Sequence, residues 1–277
     1  MRPIILALVI LLALAPGGGH AEEKHVAVIV DTSGSMKSSD PARYAVQVGK
    51  ILADLIGDND VLTVTRLPRS GGCSDGVDTD LMFRFDPKNR VASKRDLDGR
   101  IQYAGNNAFA QAIKTAAQDL DRSPNHQRML LIVADSGGLD CPAVSNPDLV
   151  ALEKSGVTIA AINLGSHTGA FDTNPAFDFA VPAPDAPGLI DALAKVYQRF
   201  LGSDQVQTGR ATDSIEVDIA PLVDEAFLVV AADGPVDEIE SLSGNPGATD
   251  VIPDYRGGGG RPEGAMNARG VIASSVW

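Results

Sequence analysis

The chain has 277 residues, of which 44% are hydrophobic, and this is enough for one α/β domain of ordinary size and a smaller appendage. Its formal net charge is −13. This charge argues against a nucleic-acid-binding protein, because phosphate binding needs a basic stripe and none is visible.

Residues 1–21 have the pattern of a cleaved signal peptide. A single early cation, Arg2, is followed by the apolar run from Ile4 to Ala15, and small residues close the segment before two glutamates. About 12 apolar residues are too few for the roughly 20 that a membrane-spanning helix needs. We therefore expect an exported protein, periplasmic or secreted, that is not an integral membrane protein after cleavage.

From residue 24 onward, short β-branched runs alternate with segments of helical periodicity, which is the pattern of βαβ units around a parallel sheet. The predicted strands are Val26–Val30, Val61–Leu67, Leu81–Phe85, Met129–Ala134, Val157–Leu164 and, at an edge, Phe179–Val181. The predicted helices begin at Asp40-Pro41, near Arg95, at Ala108, at Asn146-Pro147 and at Leu189. The loop before Leu81 is too short for a crossover helix, so this strand is predicted to be an antiparallel edge. We predict a doubly wound, mostly parallel, Rossmann-like α/β sheet over residues 24–202.

After residue 202 the composition favours strands. Residues 203–277 are predicted to form a small β-rich C-terminal appendage with a Gly-rich loop at 244–264. It is either incomplete or closed by a terminal strand. The runs that carry this prediction are Ser214–Ala220, Ala226–Ala232, Ile239–Leu242 and Gly270–Trp277.

The chain has two cysteines, Cys73 and Cys141. Export into an oxidising compartment makes one disulfide between them the default expectation. Each lies in a Gly- or Pro-rich loop that follows a predicted parallel strand, so both loops should emerge at the same end of the sheet. The alternative is two unrelated thiols.

Polar side chains follow two of the buried strands. Asp31, Ser33 and Ser35 alternate in the run DTSGSM at the carboxyl end of the first strand, where open α/β sheets bind ligands. One carboxylate and two hydroxyls are the hard oxygen ligands that Mg²⁺ favours. Gly34 is expected to let the backbone turn tightly here. Asp135 follows the strand that ends at Ala134 and can reach the same edge.

Two amides are further candidates. Asn106 and Asn107 open the helix predicted from Ala108, and their side-chain oxygens could cap that helix or coordinate a cation.

The run VAVIVDTSGSM resembles the opening of von Willebrand factor type A domains, whose metal-ion-dependent adhesion site starts with an Asp-x-Ser-x-Ser motif. The resemblance spans roughly residues 24–202. In that family the two serines and a threonine of a second loop contact the cation, and two aspartates assist, often through water. One coordination position stays open for an acidic residue of the partner.

Position by position, the first loop of this chain matches the family motif and Asp135 matches the aspartate of the third loop. The second loop departs from the family: NAFAQAI places Asn107 where the threonine belongs, with Asn106 as the alternate register. The resemblance implies Mg²⁺, with Mn²⁺ or Ca²⁺ as alternatives, and a protein partner that presents an acidic side chain. The implied metal ligands are Asp31, Ser33, Ser35, Asn107 and Asp135.

Other classes of protein compete with this interpretation. An aspartic protease needs two Asp-Thr/Ser-Gly turns, and only Asp135-Ser136-Gly137 matches that pattern. A haloacid-dehalogenase phosphatase needs a second aspartate as general acid at the position where this chain has Ser33. No nucleophile or general base stands out, so we do not expect an enzyme, and a hydrolase using Asp31 and Asp135 is the weaker alternative. The stronger alternative is a metal-independent scaffold domain of an envelope assembly, in which the loop side chains bond their own loop.

The mature chain contains three histidines outside the predicted signal peptide. His25, His126 and His167 are scattered at element edges, and we expect all three to be surface residues.

Overall fold

Short β-branched runs and helices alternate along the chain, as the periodicity predicts. The computed structural model describes residues 5–12, 23–57, 59–69, 79–104, 108–135, 147–164, 170–201, 206–211, 225–232, 251–253 and 268–274. By its internal contacts the chain divides into two compact units, residues 22–192 and residues 1–21 together with 193–277. The predicted boundaries at residues 24 and 202 stay predictions.

The described strands are, in chain order, β1 (Ile5–Leu12), β2 (Lys24–Val30), β3 (Val61–Arg66), β4 (Met82–Arg84), β5 (Gln127–Ala134), β6 (Thr158–Asn163), β7 (Phe179–Pro182), β8 (Val206–Ala211), β9 (Glu225–Ala232), β10 (Val251–Pro253) and β11 (Ala268–Ser274). The described α-helices are α1 (Met36–Ser39), α2 (Tyr44–Leu55), α3 (Arg90–Arg100), α4 (Phe109–Leu120), α5 (Pro147–Lys154), α6 (Ala170–Thr173) and α7 (Ala186–Leu201). No helix in the described ranges combines the length and the apolarity that a bilayer crossing requires.

Six of these strands form one sheet in the order β4-β3-β2-β5-β6-β7. All neighbours are parallel except β4, which runs antiparallel to β3 at the edge. The predicted fold class, a mostly parallel sheet with one antiparallel edge strand and flanking helices, is confirmed. The two central strands, β2 and β5, are the ones whose carboxyl ends carry the predicted cation ligands.

The core explains why the central strands read as continuous apolar runs. Ala27 and Ile29 of β2 belong to the cluster that also contains Ala112, Ile113 and Ala116 of α4. The alternate residues of β2, Val26, Val28 and Val30, are also buried, so both faces of this strand are covered. The sheet is therefore a rigid platform whose loops carry the polar residues.

The start of α2 differs from the prediction. The helix begins at Tyr44 rather than at Pro41, because residues 41 and 42 form a turn and Arg43 takes a left-handed conformation with φ of 61°. The Asp40 carboxylate nevertheless caps it: the backbone N–H groups of Tyr44 and Ala45 donate to its two oxygens at 2.7 and 2.9 Å. The predicted start was therefore wrong by three residues, with Arg43 at the N-cap position and the Asp40 side chain bonded to the first helical turn.

The helix predicted near Arg95, by contrast, begins earlier than predicted, at Arg90. A 3₁₀ turn, Pro87–Asn89, leads into it, and the Asp86 carboxylate accepts a hydrogen bond from the backbone N–H of Lys88 at 2.9 Å. The cap upstream of the apolar pattern thus lengthens the helix by about one turn.

The second unit contains a sheet in the order β10-β11-β9-β1-β8. Strand β1 pairs antiparallel with both β8 and β9. Because β1 falls within the predicted signal peptide, cleavage of that peptide stays a prediction. Strand β9 coincides with a predicted strand and β11 overlaps the predicted terminal one. The runs predicted at 214–220 and 239–242 lie outside the described residues.

Candidate functional site

The DTSGSM loop leaves β2 at the carboxyl edge of the sheet. The backbone N–H of Asp31 donates to the Val133 carbonyl of β5 at 2.8 Å, which anchors the start of the loop to the neighbouring strand. The backbone N–H of Ser33 donates to Oδ1 of Asp31 at 2.7 Å, and this closes an Asx turn. Asp31 and Ser33 are both buried, whereas Ser35 is exposed.

The two serine hydroxyls of this loop converge. Oγ of Ser33 and Oγ of Ser35 lie 2.9 Å apart and are hydrogen-bonded to each other, and either hydroxyl can be the donor. Two adjacent ligands of an octahedral Mg²⁺, each about 2.1 Å from the ion, lie about 3.0 Å from one another. The spacing of the hydroxyls therefore fits neighbouring positions in the coordination shell of a small cation.

Gly34, between the serines, has a different role from the predicted one. Its φ lies outside the left-handed region, so the turn does not require glycine. A Cβ at this position would meet no atom within 4 Å. Among the described residues, none would obstruct a side chain at this position of the loop.

The charge of Asp31 is unfavourable in this environment. Burial raises the pKa of the Asp31 carboxyl from its ordinary value of 3.8 to about 6. The hydrogen bonds from Ser33 lower this pKa in part, and the negative charge of Asp135 raises it further. A cation placed here would compensate both carboxylates.

Asp135 follows β5 directly and faces the same loop cluster. It is partly buried, and Oγ of Ser39 lies 2.5 Å from its Oδ2 as a hydrogen-bond donor. Ser39 is the last residue of α1, so this bond joins the helix that follows the first loop to the end of β5. Sequence reasoning missed Ser39, although its spacing of four residues from Ser35 places the two on one side of a helical turn.

A hydrogen bond between Asp40 and Tyr103 supports the far end of the first loop. Asp40 is fully buried, and besides its two backbone donors it accepts a hydrogen bond from the Tyr103 hydroxyl at 2.5 Å. Burial raises the pKa of Asp40, although these hydrogen bonds oppose the rise. Burial and the charge of Asp40 also raise the pKa of Tyr103 above its usual range, so the phenol remains a donor.

The segment that contains Tyr103 is tied to the first loop as well. The backbone N–H of Ala104 donates to the Thr32 carbonyl at 3.0 Å. The Thr32 hydroxyl in turn accepts from the Leu67 backbone N–H at 3.1 Å, beyond the end of β3. The second-loop candidates Asn106 and Asn107 come directly after this segment in the sequence, but they lie outside the described residues.

Of the five predicted metal ligands, the structure brings together the four that it describes: Asp31, Ser33 and Ser35 of one loop, and Asp135 of the neighbouring strand end. Within the described residues, no group of three or more His, Cys, Asp or Glu side chains could hold a metal ion. A cation at this edge would therefore depend on hydroxyl oxygens in addition to the two carboxylates. Such an all-oxygen donor set suits Mg²⁺ better than zinc or copper.

The histidine prediction was wrong for His25. This residue is fully buried at the start of β2, and its Nε2 lies 2.9 Å from Oδ2 of Asp119, which is also buried. Arg84 and Arg122 approach the other carboxylate oxygen at 3.9 and 3.7 Å. The pair lies at the amino edge of the sheet, opposite the candidate site, and its role there is structural. A polar residue opening an otherwise apolar strand was the signal that could have suggested a buried partner.

The remaining histidines and the cysteines add nothing to the site. His126 is partly buried at the same amino edge, with Nε2 3.2 Å from a carboxylate oxygen of Glu23. His167, Cys73 and Cys141 lie outside the described residues, so the disulfide stays a prediction.

Among solved structures, the chain is similar to a von Willebrand factor type A protein from Catenulispora acidiphila at 18% identity and a TM-score of 0.47, covering 73% of this chain and 46% of that one. It is also similar to the pilus adhesin SpaC from Lactobacillus rhamnosus GG (9% identity, TM-score 0.49, 68% of this chain and 32% of that one). A third similar structure is BatB from Bacteroides thetaiotaomicron (13% identity, TM-score 0.44, 64% of this chain and 98% of that one).

The chain thus spans less than half the length of the first two of these proteins. No protein-family model and no curated protein matches it. With TM-scores below 0.5 and identities of 18% or less, these similarities assign neither a family nor a function to this chain.

Proposed function

We propose that this protein binds another protein through a divalent cation held at the carboxyl edge of its sheet. The ion of first choice is Mg²⁺, with Mn²⁺ and Ca²⁺ as alternatives. The proposed ligands are Asp31, Ser33, Ser35, Asn107 and Asp135, directly or through water. A carboxylate of the partner would complete the coordination shell, and the predicted signal peptide places this interaction in the periplasm or outside the cell.

The observation that carries the proposal is the pair of hydroxyls 2.9 Å apart at the mouth of the loop. Two serine oxygens this close, beside a buried carboxylate, form a converging donor set of the kind that a small hard cation selects. The raised pKa of Asp31 adds to this argument, because it indicates a negative charge that the folded protein alone compensates poorly.

The exposure of Gly34 and Ser35 supports the proposal that a partner protein reaches the ion. Ser35 and Gly34 are exposed, so an ion bound between the serines would face solvent on one side. An acidic side chain could then reach the ion without any rearrangement of the sheet. The described histidines, His25 and His126, lie at the opposite edge of the sheet and supply no general base to this site.

The test is titration calorimetry of the mature protein with Mg²⁺, Mn²⁺ and Ca²⁺. We expect wild type to bind at least one of the three ions, and Asp31→Ala and Ser35→Ala to abolish or strongly weaken that binding. Ser38→Ala is the matched control, since Ser38 is an exposed serine of the same segment whose Oγ donates to the Ser35 carbonyl.

The Asx turn between Asp31 and Ser33 favours one second candidate, a metal-independent scaffold, because in that case the carboxylate would serve only its own loop. If none of the three ions binds the wild-type protein, the proposal of a metal-independent scaffold replaces the proposal of cation-dependent binding.

A further inference from the structure

A basic cavity lies beside β3 and β4, on the same unit as the candidate cation site. Its volume is about 270 Å³, and among the described residues its lining includes Arg66, Arg69 and Arg100 and one acidic residue, Asp80. The described lining residues thus comprise three cations and one anion, an excess of positive charge in a chain whose net charge is −13. A concave surface with this charge is complementary to an anion.

The cavity also has an apolar wall that holds its cations in place. The guanidinium carbon of Arg100 lies 5.0 Å from the centroid of the Phe83 ring, which is cation–π distance. Nη1 of Arg66 donates to the Leu67 carbonyl at 3.2 Å. Guanidinium groups that are oriented before binding lose less side-chain entropy when they engage a carboxylate.

The position of the cavity relates it to the candidate cation site. In the parallel register of β2 and β3, Arg66 lies opposite Val30, the residue that immediately precedes Asp31. Ile101, which lines the cavity, is three residues before Ala104, which bonds to the first loop. Three residues of chain span at most about 10 Å, so the backbone at the edge of the cavity lies within about 10 Å of the residue that bonds to the first loop.

We propose that this cavity is a second subsite for an acidic segment of the protein partner. One carboxylate of the segment would coordinate the cation, and a second, a few residues away along an extended chain, would pair with Arg69 and Arg100. The inference rests on the proposed function, because it assumes that the partner reaches the cation with a carboxylate. The proposed function requires one acidic residue of the partner. The second subsite predicts that the partner carries a second acidic residue a few positions away.

The experiment uses a fluorescein-labelled hexaglutamate peptide and fluorescence anisotropy, with the mature protein in Mg²⁺ and in EDTA. In EDTA we expect weak, salt-sensitive binding that Arg69→Glu/Arg100→Glu reduces about tenfold and Asp31→Ala leaves unchanged. In Mg²⁺ we expect tighter binding, with the gain lost in Asp31→Ala. The neutral double variant, Arg69→Gln/Arg100→Gln, should weaken binding less than the charge reversal and guards against misfolding.

Lys88→Glu/Lys154→Glu is the matched control, because it makes the same change in net charge at two exposed lysines away from the cavity. Equal weakening by this control would overturn the inference, since only the overall charge would then matter. Displacement of the peptide by an equal concentration of inorganic phosphate would also overturn it, in favour of a small-anion site.

The two proposals fail in different ways. If the Mg²⁺-dependent gain is present but insensitive to the arginine substitutions, the second subsite is refuted and the proposed function stands. If the arginine substitutions weaken binding and Mg²⁺ adds nothing, the cation-dependent function is refuted, and with it the role of the cavity as a second subsite.

Discussion

Replacing Asp31 by asparagine should stabilise the protein in the absence of metal. The pKa of this carboxyl rises from 3.8 to about 6 in the folded chain, chiefly because the group is buried. A group whose folded-state pKa is raised contributes stability below its unfolded pKa, and that contribution is lost as the pH rises through the folded value. Because each tenfold change in an equilibrium corresponds to about 1.4 kcal/mol, ionised Asp31 destabilises the folded state by about 3 kcal/mol at pH 8.

Asparagine avoids this penalty and keeps the acceptor oxygen for the backbone N–H of Ser33, which is bonded at 2.7 Å in wild type. We therefore expect Asp31→Asn to be more stable than wild type in EDTA at pH 8, by up to about 3 kcal/mol, and to differ little at pH 4. The measurement is urea unfolding in EDTA at the two pH values, with the exposed Asp96→Asn on α3 as the control.

Added Mg²⁺ should make wild type more stable than Asp31→Asn. An ion that binds only the folded state raises its stability, and the variant lacks the Asp31 carboxylate that binds the ion. An Asp31→Asn protein that is equally stable or less stable at pH 8 in EDTA would refute the reasoning. A stability difference that is the same at pH 4 and pH 8 would refute it as well.

Two further predictions concern the buried polar pairs. Asp119→Ala should destabilise the protein by about 3 kcal/mol or more, because it leaves buried His25 without its partner, whereas Arg122→Gln, at a side chain 64% exposed, should cost less than about 1 kcal/mol. Burial alone would raise the pKa of Asp119, but His25 and Arg84 together hold it below its usual range. The difference in unfolding free energy between wild type and Asp119→Ala should therefore shrink as the pH falls through that lowered pKa. A difference that grows as the pH falls would contradict this prediction. Tyr103→Phe removes one of three hydrogen-bond donors to Asp40 and should lower the free energy of unfolding by about 1–3 kcal/mol, measured in thermal or urea unfolding. Asp40→Ala should lower it further, because all three donors then lose their acceptor. The reverse order would exclude the pair as the anchor of the first loop.

The sheet could be predicted from the sequence because its central strands are buried on both faces. Continuous runs such as Val26–Val30 have no amphipathic alternation, and this absence is itself the mark of a parallel, covered strand. The edge strand at Met82–Arg84 was predictable for a different reason: the chain between it and β3 has no room for a crossover helix.

Local backbone conformation was harder to predict. Asp40-Pro41 has the composition of a helix start, but Arg43 adopts a left-handed conformation that postpones the helix to Tyr44. Nothing in the residue type of an arginine indicates a positive φ, because the surrounding contacts impose it. The Arg43 guanidinium donates to the Asp98 and Ile101 carbonyls at 3.2 and 2.7 Å, and these distant bonds are invisible in a local pattern.

The candidate site shows the same division. Its first loop was predictable because Asp31, Ser33 and Ser35 are adjacent in sequence and follow a strand whose direction is known. The bond from Ser39 to Asp135 and the bond from Tyr103 to Asp40 were not, since each joins residues more than 60 positions apart. The buried pair His25–Asp119 was missed for the same reason, with 94 positions between its members.

The most direct test of the central claim is a crystal structure of the mature protein grown or soaked with Mn²⁺, with anomalous differences measured to locate the ion. We expect a peak at the carboxyl edge of β2 and β5, about 2–2.5 Å from both Oγ of Ser33 and Oγ of Ser35. A well-ordered loop with no peak between these two hydroxyls, at a Mn²⁺ concentration that saturates other sites, would contradict it.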